Sequence, residues 1–440
     1  MQKTTLSIQK LYIKKRPLED YLIMFLLFMP FLIGLIIDTF SLPTALRFAQ
    51  DGVLLVLLGI MAYRYDNRIR REIMPLLVYF AAFVAILFFS YLVNFQSLFY
   101  FLWGFRNNFR FFFAFLVFVK FIKFEDSELY LKIFDALFWI NFVVCLIQFF
   151  VFGYKQDFLG GLFGTAVGCN IYMNVFLCII SAKSLIWFIN KKEKFMWVLL
   201  KLFAAFLIGA LAELKFFYIE FIVILCVVSL ITRFTWKKVL IIAAGVIGVI
   251  VGVTILIQIF PEYVGQFTIK LLYESAVSNK GYTSSGDINR LSAVSTISKE
   301  IFDKGHQYFV GLGLGNCDLS SISIFNTPFY ESHQSMHYNW FSHAFMFLET
   351  GYIGLILYFG IFILMFFMAR NNYKKGYSDL MCSQLSMTVA FLCTMFAFYN
   401  TSLRVDSVYM ISFIIALAFI PKKEKEDRSL TDSASDPVSQ

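Results

Sequence analysis

Charge is scarce in this chain. Only 15% of its 440 residues are Asp, Glu, Lys or Arg, against roughly 25% in a soluble domain. With 59% hydrophobic residues, there is too little polar surface for a soluble enzyme. Cysteine is sparse and scattered: Cys145, Cys169, Cys178, Cys226, Cys317, Cys382 and Cys393 form no Cys-x-x-Cys pair. That argues against a zinc or dithiol centre, and most of these thiols are expected to pack within helices. Histidine is scarcer still. The four, His306, His333, His337 and His343, all fall in one long polar stretch. Those absences confine titratable chemistry to a single region.

What the chain has in abundance is long apolar runs. A hydrocarbon core about 30 Å thick needs ~20 apolar residues as helix. Twelve such spans are predicted, near 21–41, 48–63, 74–95, 102–122, 132–153, 170–190, 195–213, 215–232, 238–259, 350–369, 380–399 and 402–420. The expected fold class is an all-α polytopic membrane protein: 1–440 as one domain of about 12 transmembrane helices, with one long external loop (260–349) between helices 9 and 10. No cleavable leader is expected, because 1–20 is polar and basic and 21–40 is long enough to span. The tail 424–440 is polar and expected to be disordered and cytoplasmic.

Alternate connectors hold the cations: Lys14, Lys15 and Arg16; Arg64, Arg68, Arg70 and Arg71; Lys120 and Lys123; Lys191, Lys192 and Lys194; Arg233, Lys237 and Lys238; Arg370, Lys374 and Lys375; Lys422, Lys423 and Lys425. Such a bias marks the cytoplasmic face and places both termini there. It also accounts for the net charge of +9 without nucleic acid as a partner.

Three cations outside the loop do not follow that pattern. Arg106 and Arg110 sit near the outer end of the fourth span, and Lys215 begins the eighth. A charge in a span faces the protein interior or a water-filled cavity. At that level Arg and Lys suit a polyanion, most simply a diphosphate. The alternative is contact with lipid headgroups or pairing with Asp38, Asp51 or Glu213. Within the loop, 281–289 reads as a turn, and Asn289–Lys304 as a short amphipathic helix with Leu291, Val294, Ile297 and Ile301 on one stripe. Arg290 begins that helix. A lone exposed Arg is ordinarily a solvated charge. His333 and His337 are four apart and could share a helix face as metal ligands. No third ligand stands at a clear spacing, Glu331 being a loose candidate, so no metal or other cofactor is expected. A neutral imidazole beside cations could instead accept a proton from a sugar hydroxyl. Gly311, Gly313 and Gly315 are expected in a tight, close-packed turn, and Glu349–Leu355 in a loop-to-helix junction.

In order, Asn289-Arg290-Leu291, Val310-Gly311-Leu312-Gly313-Leu314-Gly315, a histidine-bearing segment and Glu349-Thr350-Gly351-Tyr352-Ile353-Gly354 resemble the O-antigen ligase/polymerase family. Gly164-Thr165, Asn170 and the Glu213-Leu214-Lys215 start of the eighth span are similar too, with Lys where the family commonly has Arg. The resemblance implies a bacterial cytoplasmic-membrane glycosyltransferase that needs no metal. Its donor is a polyprenyl-diphosphate-linked glycan and its acceptor a glycan hydroxyl. Membrane lipid, a chain-length regulator and a flippase are the implied partners. Arg106, Arg110, Lys215 and Arg290 would bind the diphosphate. The family's usual His position falls on Trp340 here, with His337 and His343 three residues to either side, about one helical turn. His337, which opens a His-Tyr-Asn-Trp string, is the preferred base and His343 the alternative. A polymerase of repeat units is favoured. A ligase to a lipid A core, and a flippase or exporter of the same glycans, remain alternatives.

Overall fold

A computed structural model describes residues 17–63, 72–261, 281–283, 286–319 and 326–422. The basic residues Lys14–Arg16 and Arg64–Arg71, residues 262–280 of the long loop and the tail 424–440 lie outside the described residues.

Among the described residues the chain is helical, with no strand beyond one isolated antiparallel bridge between Tyr282 and Ile288. A helix or bent pair stands at each of the twelve predicted segments: α1 (Leu18–Phe28) with α2 (Pro30–Phe40), α3 (Phe48–Tyr63), α4 (Met74–Val93), α5 (Leu98–Phe121), α6 (Phe124–Phe150), α7 (Asn170–Ile189), α8 (Phe195–Leu211), α9 (Lys215–Ile231) and α10 (Trp236–Ile259) before the loop. The loop carries α11 (Ala293–Glu300), α12 (Gly305–Val310) and α13 (Pro328–His333); α14 (Ser342–Lys374), α15 (Leu380–Tyr399) and α16 (Val408–Ala416) follow. Seven are long and apolar enough to cross a membrane, or eight if the bent pair α1–α2 counts as one span. The 64° bend between α1 and α2 falls at Pro30, which has no N–H to give the helix and whose ring crowds the preceding turn. Helix α8 and the stretch Val408–Phe419 are shorter apolar helices. The protein is a helical membrane protein.

Phenylalanine builds the core. On α5, Phe109, Phe111, Phe112, Phe115 and Phe118 are all buried. Phe80 stacks on Phe112 at 3.8 Å and Phe111 on Phe362 at 5.2 Å. A helix buried on nearly every side sits inside the bundle, and α7 occupies that position. The outer helix α10 exposes Val246, Ile247, Ile250 and Val251, an apolar surface suited to lipid tails.

The two ends of the bundle differ. At one end Lys201 pairs with Asp135 (2.9 Å) and Glu193 (2.6 Å), Lys183 joins Asp135, and Asn190 bonds Gln384. At the other end the alternate connectors converge. Asp38 accepts the backbone N–H groups of Thr165 (2.5 Å) and Ala166 (2.9 Å). Asn170 donates to Asp157, Asn94 to the Gly311 carbonyl, and Ser342 to the Asn400 carbonyl.

The Gly-x-Gly-x-Gly run is a close-packed turn. Leu312 and Gly313 donate backbone N–H bonds to the Leu348 and Glu349 carbonyls, both at 3.0 Å. Gly311 and Gly351 have positive φ (70° and 64°), and a Cβ on either would strike backbone of the other's segment. Gly351 breaks α14 at its ninth–tenth residue boundary, so Ser342–Thr350 packs in the loop's own small core while the rest continues into the bundle. The loop helix differs from expectation. It runs Ala293–Glu300 rather than Asn289–Lys304, because the Asn289 side chain accepts the Leu291 N–H and holds the chain in a turn first. Leu291 is therefore exposed and off the stripe, whereas Ala293 and Ile297 are buried.

Candidate functional site

Polar side chains gather at the converging end in two neighbouring places. The first is a cavity of about 530 Å³, within the ~300–1,000 Å³ of small-molecule sites. Four arginines line it: Arg47 from the α2–α3 connector, Arg106 and Arg110 from α5, and Arg404 from the α15–α16 connector. Each is held by a carboxylate. Arg106 pairs with Asp51. Arg110 pairs with Asp406 at 2.9 Å, lies 3.6 Å from Asp51, and donates to the Arg404 carbonyl at 2.6 Å. Arg47 meets Asp406 at 3.3 Å and the Tyr172 hydroxyl at 2.9 Å. Arg404 grips both oxygens of Asp318 (2.9 and 3.0 Å) and lies 3.3 Å over the Phe345 ring. Aromatic faces also flank Arg106, between Phe48 and Trp103. The guanidinium groups are thus fixed before any ligand arrives.

The second place is the turn 287–290. Asp287 Oδ1 lies 2.6 Å from His337 Nδ1. His337 has positive φ (51°), its ring stacks on Trp340 at 4.2 Å, and its side chain is 39% exposed. Assigning the Nδ1 proton to the bond with Asp287 leaves Nε2 as an acceptor. Three residues on, Arg290 donates Nε–H to the Tyr399 carbonyl at 3.2 Å and sits over the Phe341 and Tyr399 rings. His343 is buried. Its Nδ1 lies 3.1 Å from the Ala397 carbonyl and its Nε2 2.9 Å from the Arg290 carbonyl. With both nitrogens against carbonyl oxygens, neither is open to an acceptor hydroxyl in this arrangement, which favours His337 over His343 as the base. Its place is to hold the Arg290 backbone against α15.

Lys215 opens α9 on the Tyr399 side of the Arg290 turn. Its Nζ is 3.0 Å from Glu213, and the adjacent Phe216 stacks on Tyr399 at 4.5 Å. Of the expected site residues, Arg290, His337 and His343 come together around one turn, whereas Arg106 and Arg110 line the cavity. The α15–α16 connector joins the two, Tyr399 serving Arg290 and Arg404 the cavity. His333 stands apart, stacked on Phe329 at 4.2 Å. Among the described residues no three of His, Cys, Asp and Glu cluster as metal ligands would. Burial, with the carboxylates of Glu349 and Asp318 nearby, pushes the Cys317 thiol well above the usual thiol range, which leaves it a packing residue.

Sequence reading missed Arg47, Asp287, Asp318, Arg404 and Asp406. Arg404 and Asp406 carried a usable signal, since they are charges at the mouth of an apolar run. Asp287 carried none, because its partner is fifty residues away in the sequence. Compared with models of known families and with curated proteins, the chain matches none.

Proposed function

We propose that this protein is a bacterial glycosyltransferase of the O-antigen ligase/polymerase type, extending a polysaccharide from polyprenyl-diphosphate-linked repeat units on the outer face of the cytoplasmic membrane. On this reading all twelve helical segments span, both termini are cytoplasmic, and the converging end with the long loop faces outward. The observation that carries it is the Asp287–His337 pair with Arg290 on the same turn, at the end of an apolar bundle. A steadied imidazole and a planar cation are what an attack that expels a lipid diphosphate needs.

The acceptor hydroxyl approaches His337 Nε2 and gives up its proton there. Its oxygen forms the new bond to the anomeric carbon of the donor. The bond from that carbon to phosphate oxygen breaks, and polyprenyl diphosphate leaves with the electron pair. Arg290 and Lys215 meet the charge that develops on the departing oxygens. Arg106 and Arg110 line the cavity, apart from the turn that carries Arg290, so they serve the cavity rather than the leaving group.

The test is chain extension by purified protein supplied only with one lipid-linked repeat unit. A ladder of multiples supports polymerisation. Transfer that appears only when a lipid A core acceptor is added makes the protein a ligase, and no product with either acceptor removes the reading.

A further inference from the structure

We infer that the arginine-lined cavity is a binding subsite for a saccharide residue that carries a carboxylate. The inference rests on the glycan-transfer reading for the identity of the chain that enters. The subsite itself stands on its lining.

Among the described residues, three buried polar atoms of cavity-lining residues have no hydrogen-bond partner: Arg404 Nη1, Arg110 Nε and Asn339 Oδ1. The two arginines are 8% and 4% exposed. Leaving such atoms unmet is destabilising, so a ligand that meets them is favoured. Two are charged donors and one is an acceptor. The ligand must therefore both accept and donate.

A diphosphate does not satisfy that set. It offers no donor to Asn339, and it would face the carboxylates of Asp318 and Asp406, which also line the cavity. Sugar hydroxyls suit both, donating to Asn339 and the aspartates. A neutral sugar leaves the charge unmatched, with four lining arginines against two lining aspartates. Asp51, behind Arg106 and Arg110, reduces the excess to about one positive charge. One carboxylate cancels it. Planar guanidinium groups held on aromatic faces suit a planar carboxylate better than lysines would.

The experiment measures equilibrium binding to the full chain in lipid nanodiscs. The probes are a glucuronate-bearing disaccharide, its glucose-bearing counterpart and inorganic diphosphate as competitor. The acidic disaccharide should bind about tenfold or more tighter than the neutral one, a difference of about 1.4 kcal/mol. Diphosphate should not displace it. Arg404→Lys keeps a charge for Asp318 and should remove most of that preference. Asn339→Leu, an atom outside every ion pair, should weaken both sugars. Should Arg404→Lys fail to fold, Asn339→Leu decides. Equal binding of the two sugars, no response to either variant, or displacement by diphosphate overturns the inference. His337→Ala should leave binding intact. Chain extension absent in the wild type, with Arg404-dependent binding retained, would remove the transfer reading and keep the subsite.

Discussion

Asp287→Asn is the sharpest probe of the histidine's chemistry. The carboxylate lies 2.6 Å from His337 Nδ1 and holds the ring and its proton through Oδ1, while Oδ2 accepts from the Thr283 hydroxyl at 3.2 Å. Asparagine keeps the size and loses the charge. Its amide can also turn its N–H₂ toward Nδ1, which drives the ring proton to Nε2, where no hydroxyl proton can then be received. In a buried serine-hydrolase triad the same change costs about 10⁴ in kcat. Here the histidine is 39% exposed, so water competes and the expected loss is smaller, about 10–10² in kcat. That corresponds to roughly 1.4–2.7 kcal/mol of barrier. KM for the lipid-linked donor should hold within about twofold. Stability should hardly move, because part-exposed pairs contribute ~0–1 kcal/mol. The assay is steady-state chain extension, with a thermal melt of the same sample. Full kcat in Asp287→Asn, or a loss matched by a collapsed melt, would refute the reasoning.

Other outcomes follow from the same geometry. Arg290→Ala should lower turnover by about 10²–10³ with a normal melt, and Arg290→Lys should recover little, because a lysine cannot both donate to Tyr399 and lie flat between Phe341 and Tyr399; kcat/KM reads both. Lys215→Arg should keep near-normal turnover while Lys215→Ala raises KM, read from donor titrations. Gly351→Ala should destabilise by about 1–2 kcal/mol for the left-handed backbone alone, and more for the overlap with Phe309 and Val310. Gly305→Ala, with open space around it, should melt as the wild type does.

The helical frame was legible because apolar run length is a local property. Each predicted segment holds a helix, and Gly311, Gly315 and Gly351 pack backbone on backbone as their spacing suggested. The charged residues were legible as positions and not as partners. Arg106 was expected at the level of the long loop and lines the cavity at that end of the bundle, yet its closest carboxylate is Asp51, the pairing that had been the alternative. Lys215 likewise meets Glu213. Pairings between distant segments, such as Asp287 with His337 or Arg404 with Asp318, depend on how the connectors converge, and no periodicity encodes that. The loop helix began later than its apolar pattern suggested because one asparagine side chain competed for a backbone N–H.

On the proposed reading this protein breaks the sugar–diphosphate bond, with His337 receiving the proton. The most direct measurement counts polyprenyl diphosphate released per glycosidic linkage formed, by the purified protein in lipid nanodiscs with a chelator present. One released for each linkage, at a rate that falls by about 10²–10⁴ in His337→Ala, is the predicted result. Intact lipid-linked glycan with no diphosphate released would contradict the claim, as would turnover that His337→Ala leaves unchanged.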